Sequence, residues 1–570
     1  MSLDLAPRSG AAQPSAPPRA DVPAPKTSSL TITALPASYA PEKELSNLDI
    51  APLRRQHWTS YNFFAFWMSD VHSVGGYVTA GSLFALGLAS WQVLVALVLG
   101  IVIVQVFVNL AAKPSQVTGV PYPVVNRAIF GIRGANIPAI IRGIIAVAWY
   151  GVQTYLASES LSIVFLKFWP QLAPLNDASA HGFMGLSALG YISYGILWVA
   201  QAALFWRGID SIRKFIDWAG PAVYLVMIAL CVYLVPKAGL HNISFNLSGA
   251  EPLGFLQSIP VMLSAIALVV SYFSGPMLNF GDLSRFGKSF ESVKKGNFWG
   301  LPFNFLFFSL LTVITASATV PVFGRLITDP IKTVEAIDTP FAILLGGFTF
   351  VLATVGINIV ANFIAPAFDF SHVAPQKISW RTGGMIAAVG SVVLTPWNWY
   401  SNDLAIHFTL DTLGGLIGPL FGILIAGFYI ASRQRLSIEH LYTRSPQGMY
   451  WCRNGFNPNA VWALVIGGVP ALLAVVGPNL MAMAGAGSGL AWVSNYSWFI
   501  GCGLGYLGMV LLEKVHPKVP VAQSCNEAEA EAKEQAALEL AAQGDLAEAP
   551  VLPADAVLAQ STAEHTARED

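Results

Sequence analysis

The sequence predicts an all-α polytopic membrane protein, from its composition, its apolar stretches and its loop charges. Of 570 residues, 54% are hydrophobic and 11% are charged, and the mean hydropathy is +0.57. Water-soluble domains carry about 25% charged residues, so most of this chain must be surrounded by lipid or by other apolar helices. The net charge of -1 offers no basic surface for nucleic acid. The four cysteines, Cys231, Cys452, Cys502 and Cys525, follow no metal-site or disulfide spacing.

Twelve apolar stretches are long enough to cross a bilayer core, which takes about 20 helical residues. We number them as spans one to twelve, at residues 60–86, 91–112, 136–160, 186–206, 216–236, 255–280, 297–322, 340–366, 382–398, 404–431, 459–478 and 490–512. Pro366 and Pro396 are expected to interrupt spans eight and nine.

Basic residues crowd alternate loops between the spans. Arg207, Arg213 and Lys214 follow span four, for example, whereas residues 169–185 and 238–252 contain no Lys or Arg. By the positive-inside rule, the basic loops and both termini are cytoplasmic. We therefore expect an integral protein of a bacterial inner (plasma) membrane. The sequence leaves the oligomeric state open, and one copy is expected to suffice.

The two ends of the chain differ from the middle in composition. Residues 1–58 are rich in Pro, Ala and Ser without an apolar run, which predicts a disordered cytoplasmic arm and not a signal peptide. Residues 516–570 are rich in Ala and Glu and are predicted to be a cytoplasmic tail. Between them, residues 59–236 and 255–431 form two halves of five spans, and residues 459–512 form two peripheral helices.

Two spans contain helix-breaking sequences. Span one has Gly75 and Gly76 within an apolar run, and span six has Gly275 and Pro276. The breaks lie five spans apart, as in a five-plus-five inverted repeat, and broken helices expose backbone groups that can bind substrate or ions. We expect these four residues to act in gating. The alternative is that Gly and Pro are simply frequent in membrane helices.

Polar and aromatic side chains within the spans are the candidate binding residues. Trp149 and Gln153 are four residues apart, so they share a helix face on which an indole could stack on a ring while the amide pairs with its edge. Asn358 and Asn362 repeat this spacing in span eight, and an amide offers both donor and acceptor groups. The alternative for each amide is a hydrogen bond between helices.

Ionisable residues within the spans are candidates for ion coupling. Asp70 and His72 lie beside the first break, and intramembrane ionisable groups often serve proton relays. They could instead hydrate a vestibule. Arg142 and Glu159 are expected near opposite ends of span three, reaching toward the interfaces. No phosphate-binding loop or hydrolase motif is present, which predicts a gradient-driven protein that is not an enzyme and needs no cofactor.

Seven stretches over about residues 45 to 515 share the pattern of one transporter family. They are Asn47–Pro52 with Trp58, Ala148–Gln153, Gly281–Phe286, Asn358–Asn362 with Pro366, Thr395–Trp397, Gly418–Gly422 and Tyr450–Asn457. The chain resembles the nucleobase–cation symporters of the first family, which include permeases for hydantoins, allantoin, cytosine and uracil. This resemblance implies a leucine-transporter-like bundle with two peripheral helices.

By the same resemblance, Trp149 would stack on the substrate, Gln153 would pair with its polar edge, and Asn362 would form a hydrogen bond with it from span eight. Phe273 replaces a second stacking Trp of the hydantoin-type members and can still sandwich a ring, which favours a compact polar substrate. Asp282 belongs to an acidic–basic turn after span six and is a further gating candidate. Gly427 stands where the family has Asp, an exchange for which the sequence gives no reason.

The coupling ion is predicted from a second departure. Sodium-coupled members supply hydroxyl ligands from span eight, where this chain has Gly356 and Ile357. Sodium prefers oxygen ligands, and only backbone carbonyls, from span one and Ala353, would remain. We therefore predict that a proton is co-transported, with Asp70 and His72 as carriers. Sodium symport through backbone ligands and uncoupled facilitation are the alternatives.

The predicted function is secondary active import of a nucleobase or related planar nitrogen heterocycle by alternating access. Uracil, cytosine, allantoin and hydantoin are all within this class. An importer of the same fold for an amino acid or osmolyte is the alternative, and it would need a carboxylate-binding pocket at the first break. A membrane enzyme or receptor would need a catalytic dyad or a sensory domain, and neither is visible in the sequence.

Overall fold

The computed structural model describes residues 31–32, 41–53, 55–71, 83, 86–247, 253–328, 330–399, 403–483 and 491–522. In this part of the chain, ten helices are long and apolar enough to cross a membrane. They are Trp91–Thr118, Asn136–Phe168, Ala188–Trp206, Ile209–Ala238, Phe255–Tyr272, Phe290–Phe323, Pro340–Val373, Thr412–Ala431, Pro458–Pro478 and Trp492–Val515. They match predicted spans two to eight and ten to twelve. The polytopic helical class is thus confirmed, and the chain is an integral membrane protein.

The remaining two spans are shorter in the described residues. Span one is described as Ser60–Val71, and residues 72–82, which include His72, Gly75 and Gly76, lie outside the described part. Span nine is the 14-residue helix Trp380–Val393. It ends because the ring of Pro396 restricts the preceding residue, and Thr395 adopts a left-handed φ of 48°.

Span eight is not interrupted at Pro366, contrary to expectation. It continues from Pro340–Ile357 through a π-helical turn, Asn358–Phe363, into Ile364–Val373. Proline supplies no N–H to the preceding turn, and in that turn the carbonyl of Ala361 accepts a hydrogen bond from Arg142 Nη2 at 3.1 Å. A side chain from span three therefore satisfies backbone that a regular helix would satisfy itself.

Span six breaks where the sequence predicts it. The helix Phe255–Tyr272 ends at Phe273, whose φ and ψ are -84° and 2°, and the short helices Ser274–Leu278 and Gly281–Ser284 follow. The break places irregular backbone inside the bundle, where it is enclosed by protein rather than by lipid.

The connections contain the shorter elements. Further helices are Tyr122–Phe130, Ala178–His181, Pro330–Ile337, Pro396–Trp399 and Ile438–Leu441, with 3-10 turns at Pro170–Asn176, Leu240–Asn242 and Ala491–Tyr496. Two further π-helical turns, Trp299–Phe303 and Ala426–Ala431, lie in spans seven and ten. The antiparallel strand pairs are Thr31–Ile32 with Arg55–Gln56 and Gly182–Phe183 with Leu186–Ser187.

Part of the predicted N-terminal arm is packed against the bundle. Ile50 and Trp58 are 0% and 1% exposed. Arg285 donates to Asp49 O at 2.9 Å and to Ala51 O at 2.5 Å. Apolar burial and these charge-assisted bonds hold residues 41–53 and 55–58 in place, so the predicted boundary of a disordered arm at residue 58 lies too far into the chain.

The glycines of the Gly418–Gly422 motif bring span ten against span twelve. A Cβ at Gly418 would lie 2.3 Å from Trp498 O, and one at Gly422 would lie 2.1 Å from Cys502 O. Small residues four apart allow such close helix packing in membranes. Gly427 has a related explanation, since a Cβ there would lie 2.6 Å from Ile129 Cγ2. The motif is therefore a packing feature, and the acidic residue of the family does not fit beside Ile129 as it stands.

Candidate functional site

A cavity of about 40 Å³ lies at the break in span six. Its walls come from spans one, three, six, eight and ten. The lining residues are Asp70, Arg142, Trp149, Gln153, Ser271, Tyr272, Ser274, Gly275, Pro276, Ile357, Ala361, Asn362 and Gly414. The structure therefore brings together most of the predicted binding residues and two of the predicted gating residues, although they come from distant parts of the sequence.

Span three contributes one face with three functional groups. Arg142, Trp149 and Gln153 line the cavity, and residues seven and four apart lie on the same side of a helix. Trp149 is partly exposed to the cavity, while Gln153 is 2% exposed. Gln153 Oε1 has no hydrogen-bond partner among the described residues. An aromatic plane and an available buried acceptor are thus presented side by side.

Arg142 does not reach toward a membrane interface, contrary to expectation. It is 1% exposed, and its Nε donates to Asn279 Oδ1 at 3.0 Å. Its Nη1 has no hydrogen-bond partner in the described part of the chain. The arginine is kept inside because Asn279 and the Ala361 carbonyl replace its hydration. Its position two helical turns before Trp149 is the signal from which the sequence could have identified it.

Phe273, the predicted second stacking residue, is not among the residues that line the cavity. It is 1% exposed and packs edge-to-face on Trp67 and Phe305, with ring centroids 6.2 and 5.5 Å apart. Its neighbour Tyr272 lines the cavity instead. Because the helix ends at Phe273, helical periodicity no longer predicts which side chain faces inward.

The two asparagines of span eight have different positions. Asn362 lines the cavity and donates to Asn358 Oδ1 at 3.3 Å. Asn358 is 0% exposed, and its Nδ2 lies 3.1 Å from Tyr150 O and 2.6 Å from Gln201 Oε1. Both lie in the π-helical turn, whose bonds reach five residues back, so residues four apart no longer align. Asn358 therefore forms hydrogen bonds between helices behind the site, which is the alternative that the sequence left open for a buried amide.

Asp70 lines the cavity, is 1% exposed, and its Oδ1 has no partner among the described residues. The neighbouring Ser69 lies beside Gly356, where a Cβ would be 3.5 Å from Ser69 Cβ. Ile357 lines the cavity, and Ala353 is buried but is not among its lining residues. Gly356 thus offers no side-chain hydroxyl to the carboxyl-bearing end of span one.

Asp282 lies behind the cavity in a buried polar cluster. Its Oδ1 accepts from Tyr122 N at 2.9 Å and its Oδ2 from Asn279 Nδ2 at 3.3 Å. Burial raises the pKa of this carboxyl to about 7, although those bonds and the charges of Arg285 and Arg142 act to lower it. Since Asn279 also accepts from Arg142, the predicted gating carboxylate is connected to the cavity through one amide.

A broken helix that encloses a polar cavity inside an apolar bundle is an arrangement typical of membrane transporters. The family model for permeases for cytosine/purines, uracil, thiamine and allantoin matches residues 51–501. The chain belongs to this family of transporters, whose members are not enzymes.

Several relatives and solved structures are similar over most of their length. The allantoin permease of Bacillus subtilis is 29% identical over 490 residues, covering 86% of this chain and 97% of the relative. The purine-uracil permease NCS1 of Arabidopsis thaliana is 31% identical over 432 residues, covering 75% and 71%. Mhp1, a nucleobase-cation-symport-1 family transporter solved in a closed conformation with bromovinylhydantoin bound, has a TM-score of 0.64 at 22% identity, covering 86% of this chain and 99% of Mhp1. This last likeness supports the fold.

Proposed function

We propose that the protein imports a nucleobase-like heterocycle that carries both ring carbonyl and ring N–H groups, such as uracil, allantoin or hydantoin. One observation carries this proposal: three buried polar atoms of the cavity lining have no partner among the described residues, a donor, Arg142 Nη1, and two acceptors, Gln153 Oε1 and Asp70 Oδ1. Buried polar groups require partners. A ring with a C=O to accept and two N–H groups to donate would satisfy all three beside Trp149.

The names of the relatives agree with this class, since they include permeases for allantoin, uracil and purines. An amino-acid importer is less well supported. The cavity does present Arg142 to a carboxylate, but Trp149 and two amide side chains around it are suited to a flat, neutral ring.

We infer that transport proceeds by alternating access. A cavity of about 40 Å³ holds only a few water molecules, whereas small-molecule pockets measure about 300 Å³ or more. The helices must therefore separate to admit a ring, and the break at Gly275 and Pro276 provides a place for them to move.

We further propose that a proton is the coupling ion and that Asp70 carries it. Asp70 is a buried carboxyl that lines the substrate cavity, so its protonation and substrate binding affect one another directly. The missing hydroxyl groups at Gly356 and Ile357 argue against a sodium site of the usual kind.

The test uses the purified protein in proteoliposomes. Uptake of labelled uracil is competed with cytosine, allantoin, hydantoin and purines, with sodium or choline outside and with or without a proton uncoupler. The expected result is uptake that does not depend on sodium and that the uncoupler abolishes. In the Asp70→Asn variant, a pH gradient should no longer drive uptake. The control variant Asp210→Asn, which changes an exposed residue, should behave as wild type. Uptake that requires sodium and ignores the uncoupler would refute proton coupling, and competition by amino acids alone would refute the substrate class.

A further inference from the structure

A second cavity, of about 510 Å³, lies where the start of span three meets the end of span eight. Three arginines line it, Arg127, Arg133 and Arg444, together with His372 and one acidic residue, Glu44. It shares no lining residue with the substrate cavity. The cavity therefore has an excess of positive charge and is separate from the cavity described above.

Two arginines of this basic cavity, Arg127 and Arg133, are held in place. Arg127 is 0% exposed, and its Nε donates to His372 Nε2 at 2.9 Å. Arg133 lies 5.0 Å from the ring centroid of Trp451, and its Cγ would be 2.7 Å from a Cβ at Gly455. These two cations are thus positioned by a hydrogen bond, packing and cation–π contacts before any ligand binds.

The guanidinium groups of Arg133 and Arg444 are not paired with a carboxylate among the described residues, although Glu42 Oε1 accepts a hydrogen bond from the backbone N–H of Arg444. Guanidinium groups bind phosphate oxygens through two parallel hydrogen bonds. The cavity is therefore suited to a phosphate group.

An apolar wall adjoins the cations at the edge of the membrane. Ile137 and Ile140 line the cavity from the first turns of span three, and Phe456 lines it from the last long loop. Ile140 and Phe456 are 41% and 40% exposed. Span three begins at Asn136, so this wall lies at the bilayer boundary, where basic pockets bind lipid headgroups. Inorganic phosphate has no apolar part that would contact this wall, whereas a phospholipid has acyl chains.

We propose that this basic cavity binds the phosphate headgroup of an anionic phospholipid, with an acyl chain along Ile137 and Ile140. The bound lipid contacts both span three, which carries Trp149 and Gln153, and span eight, which ends at Val373. It therefore connects two of the helices that line the proposed substrate cavity. Because the lipid binds the folded protein and not the unfolded chain, it stabilises the folded protein.

The test uses the full-length protein in a neutral detergent. Phosphatidylglycerol, phosphatidylcholine and inorganic phosphate are titrated separately, and bound lipid is counted by native mass spectrometry while thermal unfolding is followed. Two double variants are compared. The cavity variant combines Arg133→Gln and Arg444→Gln. The control variant combines Arg433→Gln and Arg435→Gln, which removes two exposed cations that do not line the cavity.

The expected result is one retained phosphatidylglycerol per chain and a higher unfolding temperature. The cavity variant should bind about 25-fold more weakly, from about fivefold per cation near an anionic surface, and the control variant should bind as wild type. Equal binding of phosphatidylcholine, an equal response to inorganic phosphate, or equal losses in both double variants would overturn the proposal. A chain ending at Ala522 that binds the lipid tenfold more tightly would also overturn it, because the acidic residues 523–570 would then be the native occupant.

Discussion

Replacing Gln153 with Leu tests whether the amide on span three accepts a hydrogen bond from the substrate. Gln153 Oε1 is buried and without a partner among the described residues, and it lines the cavity beside Trp149. Removing it leaves a substrate N–H unpaired in the closed site, which costs about 1–3 kcal/mol. The affinity should therefore fall by about 5- to 150-fold.

The assay is labelled uracil uptake in proteoliposomes, with substrate binding measured separately by calorimetry. Gln92→Leu is the matched control, because Gln92 is 3% exposed, donates to Ser258 Oγ at 2.7 Å and does not line the cavity. That variant should lose stability without a comparable loss of affinity in the protein that remains folded.

A cycle with N-methylated uracils sharpens the assignment. Wild type should bind uracil more tightly than the N-methylated isomer that lacks the N–H paired with Gln153. This difference in affinity should disappear in Gln153→Leu, because the variant has no amide to accept the hydrogen bond from either ligand. Discrimination that is unchanged in the variant would refute the proposed pairing, even if the overall affinity had fallen.

Three further predictions concern single side chains. Trp149→Ala should weaken substrate binding by about 1–3 kcal/mol if the ring stacks as bases do on aromatic side chains, while Trp91→Ala, which removes a 55% exposed indole, should not; equal uptake by both would contradict the stacking role. Asn358→Ala removes the donor to Gln201 Oε1 and one of the donors to Tyr150 O, so the unfolding temperature in detergent should fall, as the buried Gln201 Oε1 loses this partner; unchanged stability would contradict this. Burial raises the pKa of Asp282 from 3.8 to about 7, so its contribution to stability is present below about pH 4 and is lost as the pH rises through about 7. Asp282→Asn should flatten the decline in unfolding temperature between pH 5 and 8, and an unaltered slope would show that another group titrates.

The membrane-spanning architecture follows from the sequence because hydrophobic length is a local property. A run of apolar residues must be helical in lipid, since no water is present to satisfy its backbone. The ten long spans were predictable from hydrophobic length. Local sequence also predicted the break at Gly275 and Pro276, from its residue types, and the face shared by Trp149 and Gln153, from their spacing. Span nine is shorter than predicted, because its helix ends at Val393, before Pro396.

The errors occur where regular helical periodicity fails. Phe273 lies at the end of a helix and turns to Trp67, and Asn358 lies in a π-helical turn and binds Tyr150 and Gln201. The Phe273 prediction came from the family resemblance, and the Asn358 prediction from the regular spacing of residues four apart. The sequence signals the break itself through Gly275 and Pro276, but it does not show which side chain turns inward there, and it does not signal the π-helical turn.

The sequence by itself determined that the chain crosses the membrane many times and which aromatic and amide groups could bind a ring. Only the tertiary structure decided that Arg142 faces inward, because its burial depends on Asn279 and Ala361, which are distant in sequence. The basic cavity formed by Arg127, Arg133 and Arg444 likewise emerges only when spans three and eight meet. Local composition is enough to predict which segments are apolar and buried, whereas the packing of segments distant in sequence decides the partner of a buried charge.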